Sequence, residues 1–291
     1  MRRKPVTNVN VERVTRGARE GTHDLVAVEE PLQILLEYGE GHGRRETALA
    51  VTMRTPGHDV ELVRGFLFGE GVIGQPDDLL DLRHCTQAET PHNVVRAKLR
   101  PGVVVPEGLL ERTLPVTSAC GVCGERTVEA LHKAGCRPVQ TVPKWVTAEA
   151  IRAAVASLEH AQTFFRNTGG THGAALFRCD GTLQVHREDV GRHNALDKTI
   201  GAWLDSSIDA DDAFVVVSSR ASFELVQKTV RASFPMLIAV GAASSLAVDT
   251  ARRFGLTLVG FARDDRFNVY SNGDRIAVER NETEFLEVGA E

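Results

Sequence analysis

The stretch Ala213-Phe214-Val215-Val216-Val217-Ser218-Ser219-Arg220-Ala221-Ser222-Phe223 decides the fold class. Its first five residues are all apolar, the pattern of a strand covered on both faces. Small hydroxyl residues end the run. Apolar residues then return at helical spacing over 223–233, with Ser222 placed as a cap. The same pattern extends in both directions: strands are expected over 174–177, 183–186, 236–240 and 256–261, and helices over 190–204 and 246–254. Upstream, Thr147 reads as the N-cap of a helix over 147–158 that turns Ile151, Ala154, Val155 and Leu158 inward. Alternating strands and helices predict an α/β layer fold with a largely parallel sheet.

The N-terminal half reads differently. Residues 1–24 are polar and charged with little periodicity, and are expected to form a flexible arm. Strands follow at Leu32-Gln33-Ile34-Leu35-Leu36 and Thr47-Ala48-Leu49-Ala50-Val51, joined by the glycine-rich segment around Gly39, Gly41 and Gly43. A helix starts at Asp59, carries Leu62, Val63, Phe66 and Leu67 on its apolar face, and stops near Gly69 and Gly71. Short strands are expected over 79–84 and 94–99, before Pro101 and Pro106 break the pattern. This divides the chain into a small α+β domain over 25–112, an α/β domain over 113–280 and a tail over 281–291. His84 and His92, in the first unit, read as surface residues.

Bulk properties narrow the function classes. A length of 291 residues fits about two domains. With 42% hydrophobic and 25% charged residues the chain can bury a sizeable core and stay soluble. A net charge of −5 disfavours general nucleic-acid affinity. Five cysteines are too few for a disulfide scaffold, and their number is odd. No apolar run approaches the roughly 18 residues of a membrane span. Met1-Arg2-Arg3-Lys4 is basic, but Pro5 and polar residues follow it, so no signal-peptide core is read. The expectation is a cytoplasmic protein, where a cysteine pair tends to be catalytic or metal-binding.

In open α/β sheets, ligands collect beyond the carboxyl ends of the strands. Those ends carry Arg187-Glu188-Asp189-Val190-Gly191-Arg192-His193, Ser218-Ser219-Arg220, Gly241-Ala242-Ala243-Ser244-Ser245 and Phe261-Ala262-Arg263-Asp264-Asp265-Arg266. The glycine-rich Thr168-Gly169-Gly170-Thr171-His172-Gly173 precedes them all. Each alone reads as a cap or a solvated turn. Together they place arginines, hydroxyls and helix N-termini on one rim, as phosphate groups require. The strings of an NTPase P-loop and of a dinucleotide fingerprint are absent.

Near mid-chain lies Thr117-Ser118-Ala119-Cys120-Gly121-Val122-Cys123-Gly124-Glu125, followed by a helical pattern with Val128 and Leu131. A thiol at a helix N-terminus favours the thiolate, and the flanking glycines leave room for a large partner. Other readings stand beside this one. A structural zinc site would need two more ligands, and no second C-x-x-C exists. A thioredoxin-like dithiol would sit after an early strand, and a plain turn would carry the cysteines incidentally. His186-Arg187-Glu188 is a literal H-x-E of the zinc-deaminase type, yet no P-C-x-x-C follows to complete the ligand set.

Cys120-Gly121-Val122-Cys123-Gly124, the Thr168 to Gly173 string, Glu188-Asp189-Val190-Gly191-Arg192-His193-Asn194-Ala195-Leu196-Asp197-Lys198 and Ser218-Ser219-Arg220 together resemble the formate dehydrogenase accessory sulfurtransferase family, FdhD, over residues 25 to 280. The resemblance implies a cytoplasmic, homodimeric carrier with a cytidine-deaminase-like αβα layered second domain that lacks deaminase zinc chemistry and any intrinsic metal. Its implied partners are a cysteine desulfurase and formate dehydrogenase. Sulfur taken from the desulfurase as a persulfide would pass to the molybdenum (or tungsten) bis-pterin guanine dinucleotide cofactor, bound as substrate. The family's persulfide position falls on Cys120. Cys123 would either tune that thiol or displace its sulfur. The cofactor-binding segment falls on Phe261, Ala262, Arg263, Asp264, Asp265 and Arg266. Arg263 and Arg266 would meet phosphate, Phe261 would stack or pack, and Asp264 and Asp265 would take guanine N–H groups or face solvent. Arg192, His193 and Arg220 are secondary candidates from rim position alone. Cys85, Cys136 and Cys179 read as packing residues. The competing functions are a cofactor-binding chaperone without sulfur transfer, and a zinc protein using Cys120 and Cys123.

Overall fold

The computed structural model describes residues 4–106, 108–110, 136–139 and 145–278. Strands β1 (Val6–Val14) and β2 (Arg19–Ala27) form an antiparallel hairpin in register from Val6↔Ala27 to Val14↔Arg19. This corrects the flexible arm expected over 1–24. Both strands leave most side chains exposed, so the stretch lacks the hydrophobic pattern of a buried strand. Only the alternation of Val9 and Val11 with Asn8 and Asn10 carried the period-two signal.

A four-stranded sheet follows in the order β4-β3-β6-β5, built from β3 (Glu30–Tyr38), β4 (Arg45–Arg54), β5 (Leu79–His84) and β6 (Val94–Leu99). Alternate residues Leu32, Ile34 and Leu36 of its β3 are wholly buried. Helix α1 (Asp59–Gly69) buries Leu62, Val63 and Leu67 as expected, whereas Phe66 is half-buried. The expected boundary between residues 112 and 113 lies outside the described residues, as do the tail over 281–291, Cys120 and Cys123.

Short strands β7 (Val146–Thr147) and β14 (Ile276–Ala277) pair in parallel. Helix α2 (Ala148–Ala161) begins at Thr147, whose hydroxyl accepts the Ala150 N–H at 3.0 Å, and buries all four expected residues. A short helix, α3 (Thr163–Thr168), leads into the main sheet. That sheet has the order β13-β12-β11-β10-β8-β9, from β8 (His172–Arg178), β9 (Leu183–Asp189), β10 (Ala213–Val217), β11 (Met236–Ala239), β12 (Thr257–Gly260) and β13 (Asn268–Ser271).

The sheet is mixed, not largely parallel: β10, β11 and β12 run parallel, while β8–β9, β8–β10 and β12–β13 are antiparallel. Connection length accounts for the difference. Helices α5 (Phe223–Arg231) and α6 (Ser245–Arg253) provide the crossovers that parallel strands need, whereas a short turn joins β8 to β9. Alternate residues enter two cores. Ala213, Val215, Val217, Leu237 and Leu258 face helices α4 (Arg192–Leu204), α5 and α6, while Phe214, Val216, Ile238 and Val259 face α2. The architecture is therefore αβα layered.

The first core runs without interruption from the four-stranded sheet through α1 into α4 and the main sheet. At its centre α1 and α4 cross backbone to backbone. A Cβ on Gly65 would lie 1.9 Å from the Asp197 carbonyl oxygen, and one on Gly201 would lie 1.9 Å from that of Glu61. Neither contact leaves space for a methyl group. We expect Gly201→Ala to lower unfolding stability by about 3 kcal/mol or more in a urea titration, because a rigid backbone opposes the added carbon. Gly21→Ala, with nothing within 4 Å of its Cβ, should leave the midpoint nearly unchanged.

Candidate functional site

The carboxyl ends of β9, β10, β11 and β12 and the start of β8 meet along one edge of the main sheet. Backbone hydrogen bonds join the loops there. The Ser218 N–H donates to the Gly173 oxygen at 2.9 Å, that of Gly241 to Ser219 at 3.0 Å, and that of Phe261 to Gly241 at 2.9 Å. The Ser218 hydroxyl accepts the Gly173 N–H at 2.9 Å. The loops approach so closely that a Cβ on Gly241 would press on Arg220 at 2.9 Å. Ser244 caps α6 through the Ala247 N–H, as the sequence implied. Ser222 occupies the N-cap of α5 but does not cap it with its side chain; its hydroxyl lies 3.3 Å from His193 Nε2 and 3.5 Å from Glu224.

The structure groups the sequence-predicted rim residues unevenly. Phe261 is 46% exposed and sits at φ 51°, a left-handed conformation uncommon for a bulky residue, which turns the chain sharply off β12. Ala262 points the other way, buried in the core against α2, and its N–H donates to the Ala239 oxygen. Arg263 is exposed, with Nη1 donating to Val240 and Ala262 oxygens at 3.1 and 3.2 Å. Asp264, Asp265 and Arg266 are exposed, and the Arg266 carbonyl accepts the Arg263 N–H. Arg220 is also exposed, across the Gly241 contact. The segment thus offers a ring, two guanidinium groups and two carboxylates to solvent around one tight turn.

Further along the rim, His193 Nε2 lies 2.7 Å from Glu224 Oε2, a contact that lowers the Glu224 carboxyl despite its partial burial. Burial, with the Arg192 guanidinium and His193 adding to it, holds His172 below the ordinary imidazole value. His172 is therefore neutral at pH 7 and able to accept a proton or a hydrogen bond.

The longest sequence motif proves to be largely a buried lock. Asp189 is fully buried: Oδ1 accepts Gly191 N–H and Asn194 Nδ2, and Oδ2 accepts Thr55 N–H at 3.1 Å and Lys198 Nζ at 2.6 Å. Lys198, 1% exposed, also donates to the Thr55 carbonyl at 2.8 Å. The residue before it, Asp197, accepts from buried Lys228 Nζ at 2.6 Å. Burial works against the Lys228 charge, but Asp197 and Glu70 outweigh it and hold the ammonium protonated. The first four-stranded sheet and the rim-bearing β9–α4 corner are thereby clamped together. Within the string from Glu188 to Lys198, Asp189, Asn194 and Lys198 reach the first unit, while Asp197 meets α5 and His193 stays at the rim.

Strand β9 also runs three residues past its expected end at His186. Within the H-x-E string, the Glu188 carboxylate accepts N–H groups of Phe164 and Phe165 at 2.9 and 2.8 Å and the Thr171 hydroxyl at 2.8 Å. It closes the N-terminus of α3, a structural task. Cys85 and Cys136 are buried free thiols, and half-buried Cys179 donates to Asp212 at 3.0 Å. Burial and that carboxylate push the Cys179 thiol up to about 11, far from nucleophilic. Among the described residues no helix is long and apolar enough to cross a membrane.

The fold is a layered α/β protein whose strand-end rim carries arginines, hydroxyls and backbone donors. Comparison with known proteins gives its family. The FdhD/NarQ family model matches residues 27–277. A protein named sulfur carrier protein FdhD from Streptomyces coelicolor is 44% identical, covering 92% of this chain and 94% of its own length. A protein of the same name from Mycolicibacterium paratuberculosis is 43% identical, over 91% of this chain and 97% of its own. In structure, a chain from Desulfotalea psychrophila described as a formate dehydrogenase accessory protein superposes with a TM-score of 0.71 at 23% identity, covering 94% of this chain and all of the other. The chain belongs to the FdhD/NarQ family.

Two outcomes follow from the lock. Lys198→Met leaves the Asp189 carboxylate buried without its ammonium and is expected to cost about 3–5 kcal/mol in chemical denaturation. Burial alone would raise the Glu61 carboxyl, but hydrogen bonds from Arg187 and His58 bring it down from 4.5 to about 2. A carboxyl lowered in the folded state adds stability that is present above pH 4.5 and is lost as pH falls toward 2. Glu61→Gln should therefore flatten the acid limb of a stability–pH profile between those values.

Proposed function

We propose that this chain is a cytoplasmic, homodimeric sulfurtransferase serving formate dehydrogenase. It accepts sulfur from a cysteine desulfurase as a persulfide on Cys120 and delivers it to the molybdenum bis-pterin guanine dinucleotide cofactor, which it binds as substrate. The observation that carries this reading is the Cys120-Gly121-Val122-Cys123 pair in a chain 44% identical to a protein named a sulfur carrier. In the first step the Cys120 thiolate attacks the outer sulfur of the donor persulfide. One S–S bond forms, the donor's S–S bond breaks, and the donor cysteine leaves as thiolate with no net redox change. In the second, Cys123 either tunes the Cys120 thiol or attacks the Cys120 sulfur; in that case hydrosulfide leaves toward the cofactor and a thiol reductant reopens the Cys120–Cys123 disulfide.

The rim supports the substrate assignment by its chemistry. Arg263 and Arg266 supply guanidinium groups for a pyrophosphate. Phe261, exposed on its strained turn, offers a face for a guanine ring, and Asp264 and Asp265 offer acceptors for its N–H donors.

Incubation with a cysteine desulfurase and cysteine is expected to add about 32 Da to the intact protein, the mass of one sulfur on a thiolate. Cys120→Ala should lose that adduct; full retention would move the role to another thiol. If the Cys120→Ala, Cys123→Ala double variant still activates formate dehydrogenase, the protein is a cofactor chaperone and not a sulfur donor. Arg263→Gln with Arg266→Gln should weaken guanosine diphosphate binding by about tenfold or more by calorimetry, since charge-assisted contacts to phosphate are lost.

A further inference from the structure

The β1–β2 hairpin is a ribbon of two nine-residue strands, each about 30 Å long on ordinary strand geometry. Two strands alone are marginally stable in water. Its base packs on the body, where a Cβ on Gly170 would lie 3.3 Å from the Ala27 Cβ. Toward its tip Glu12, Arg13 and Val14 are exposed, Val14 at 66%.

Backbone hydrogen bonds at the two ends fix which residues face which side. The Val28 N–H donates to the Pro5 carbonyl at 2.8 Å, and the Thr15 N–H to the Ala18 carbonyl at 3.0 Å. Both fit the unbroken register that runs from Val6↔Ala27 to Val14↔Arg19. In an antiparallel pair the N–H and C=O of one residue share an edge, and successive residues alternate between edges. Pro5 and Thr15 face β2, so Thr7, Val9, Val11 and Arg13 do too. Val6, Asn8, Asn10, Glu12 and Val14 turn their backbone groups to the outer edge, where no strand lies among the described residues. Open edges are ordinarily blunted by proline, by a bulge or by rows of charge. Strand β1 has no proline and no register shift, and its charged residues are Glu12 and Arg13 alone.

This edge is complementary to itself. About a two-fold axis at Asn10, a second β1 runs antiparallel to the first, and Val6 falls opposite Val14, Asn8 opposite Glu12 and Asn10 opposite Asn10. These are the residues with outward backbone groups, so each pair exchanges two ladder bonds. Between them lie the closer pairs, with Cα atoms about 4.5 Å apart. There Val9 faces Val11 and Thr7 faces Arg13. Valine meets valine, polar residue meets polar residue, and no like charges are opposed. The outer edge of β2 fails the same test, because a two-fold axis at His23 sets Arg19 against Ala27 and Glu20 against Val26.

We propose that β1 joins a second copy of this chain edge to edge, antiparallel about Asn10, and forms a four-stranded sheet across a closed two-fold dimer. The proposal rests on the dimeric state proposed for the chain and not on its sulfur chemistry.

Sedimentation equilibrium of the full-length chain over a range of concentrations reads the dimer dissociation constant. Asn10→Pro removes an outward N–H, leaves the bonds to β2 in place, and should raise that constant by about tenfold or more. His23→Pro, the matching change at the outer edge of β2, should leave it unchanged. Val9→Glu with Val11→Glu opposes like charges across the seam and should weaken the dimer as Asn10→Pro does. Val9→Lys with Val11→Glu sets opposite charges on the same pairs and should keep the dimer. A chain that is monomeric at every concentration overturns the dimeric reading and the seam together. The seam alone is overturned by a dimer that survives Asn10→Pro and the double-glutamate variant, that His23→Pro weakens equally, or that both charge variants abolish.

Discussion

The crossing of α1 and α4 is the contact on which the rest of the molecule depends. Gly65 and Gly201 let the two backbones touch, each against the other helix's carbonyl group. This distance sets the four-stranded sheet against the main sheet and makes one core of both. It also brings the Thr55 carbonyl to Lys198, whose ammonium meets Asp189 at 2.6 Å within its own unit, next to the Asp197–Lys228 pair at 2.6 Å. Buried ion pairs stabilise only when such geometry is close to ideal, because removing the charges from water costs several kcal/mol per ion, roughly. Close helix packing and buried charge thus require one another here. A wider crossing would draw Thr55 away from Lys198 and Asp189.

The same corner links the rim to the first unit. Asp189 anchors Gly191 and Asn194, which start the helix that bears Arg192 and His193 at the rim. Through Thr55 it anchors the β4–α1 loop, which lines a cavity beside it. The start of α4 at the rim and the β4–α1 loop are both tied to this one buried carboxylate. Positioned loops on rigid elements are the usual setting for recognition.

Legibility in the sequence followed a physical division. Strands such as Ala213–Val217 and Leu32–Leu36 within β3 could be read because two-sided or alternating burial is a local pattern. The Thr147 cap could be read because a hydroxyl before an apolar helix has one obvious use. The β1–β2 hairpin could not, since its side chains are mostly exposed and its stability comes from ladder partners many residues apart. His84 and His92 read as surface residues, and His92 is exposed and His84 partly so; only the fold sets their rings 6.5 Å apart. Glu188 matched the deaminase H-x-E in spelling only, and its distance to the Phe164 and Phe165 amides gives it a capping role.

By itself the sequence determined the layered α/β class, most of the elements, the family and the spacing of Cys120 and Cys123, because each rests on periodicity, spacing or an ordered set of short strings. Tertiary structure alone decided that Asp189, Asn194 and Lys198 clamp two sheets together, that the main sheet is mixed in direction, and that a cavity opens beside the β4–α1 loop. These are relations between residues distant in the chain. Their energies depend on ångström-scale distances that no local pattern encodes.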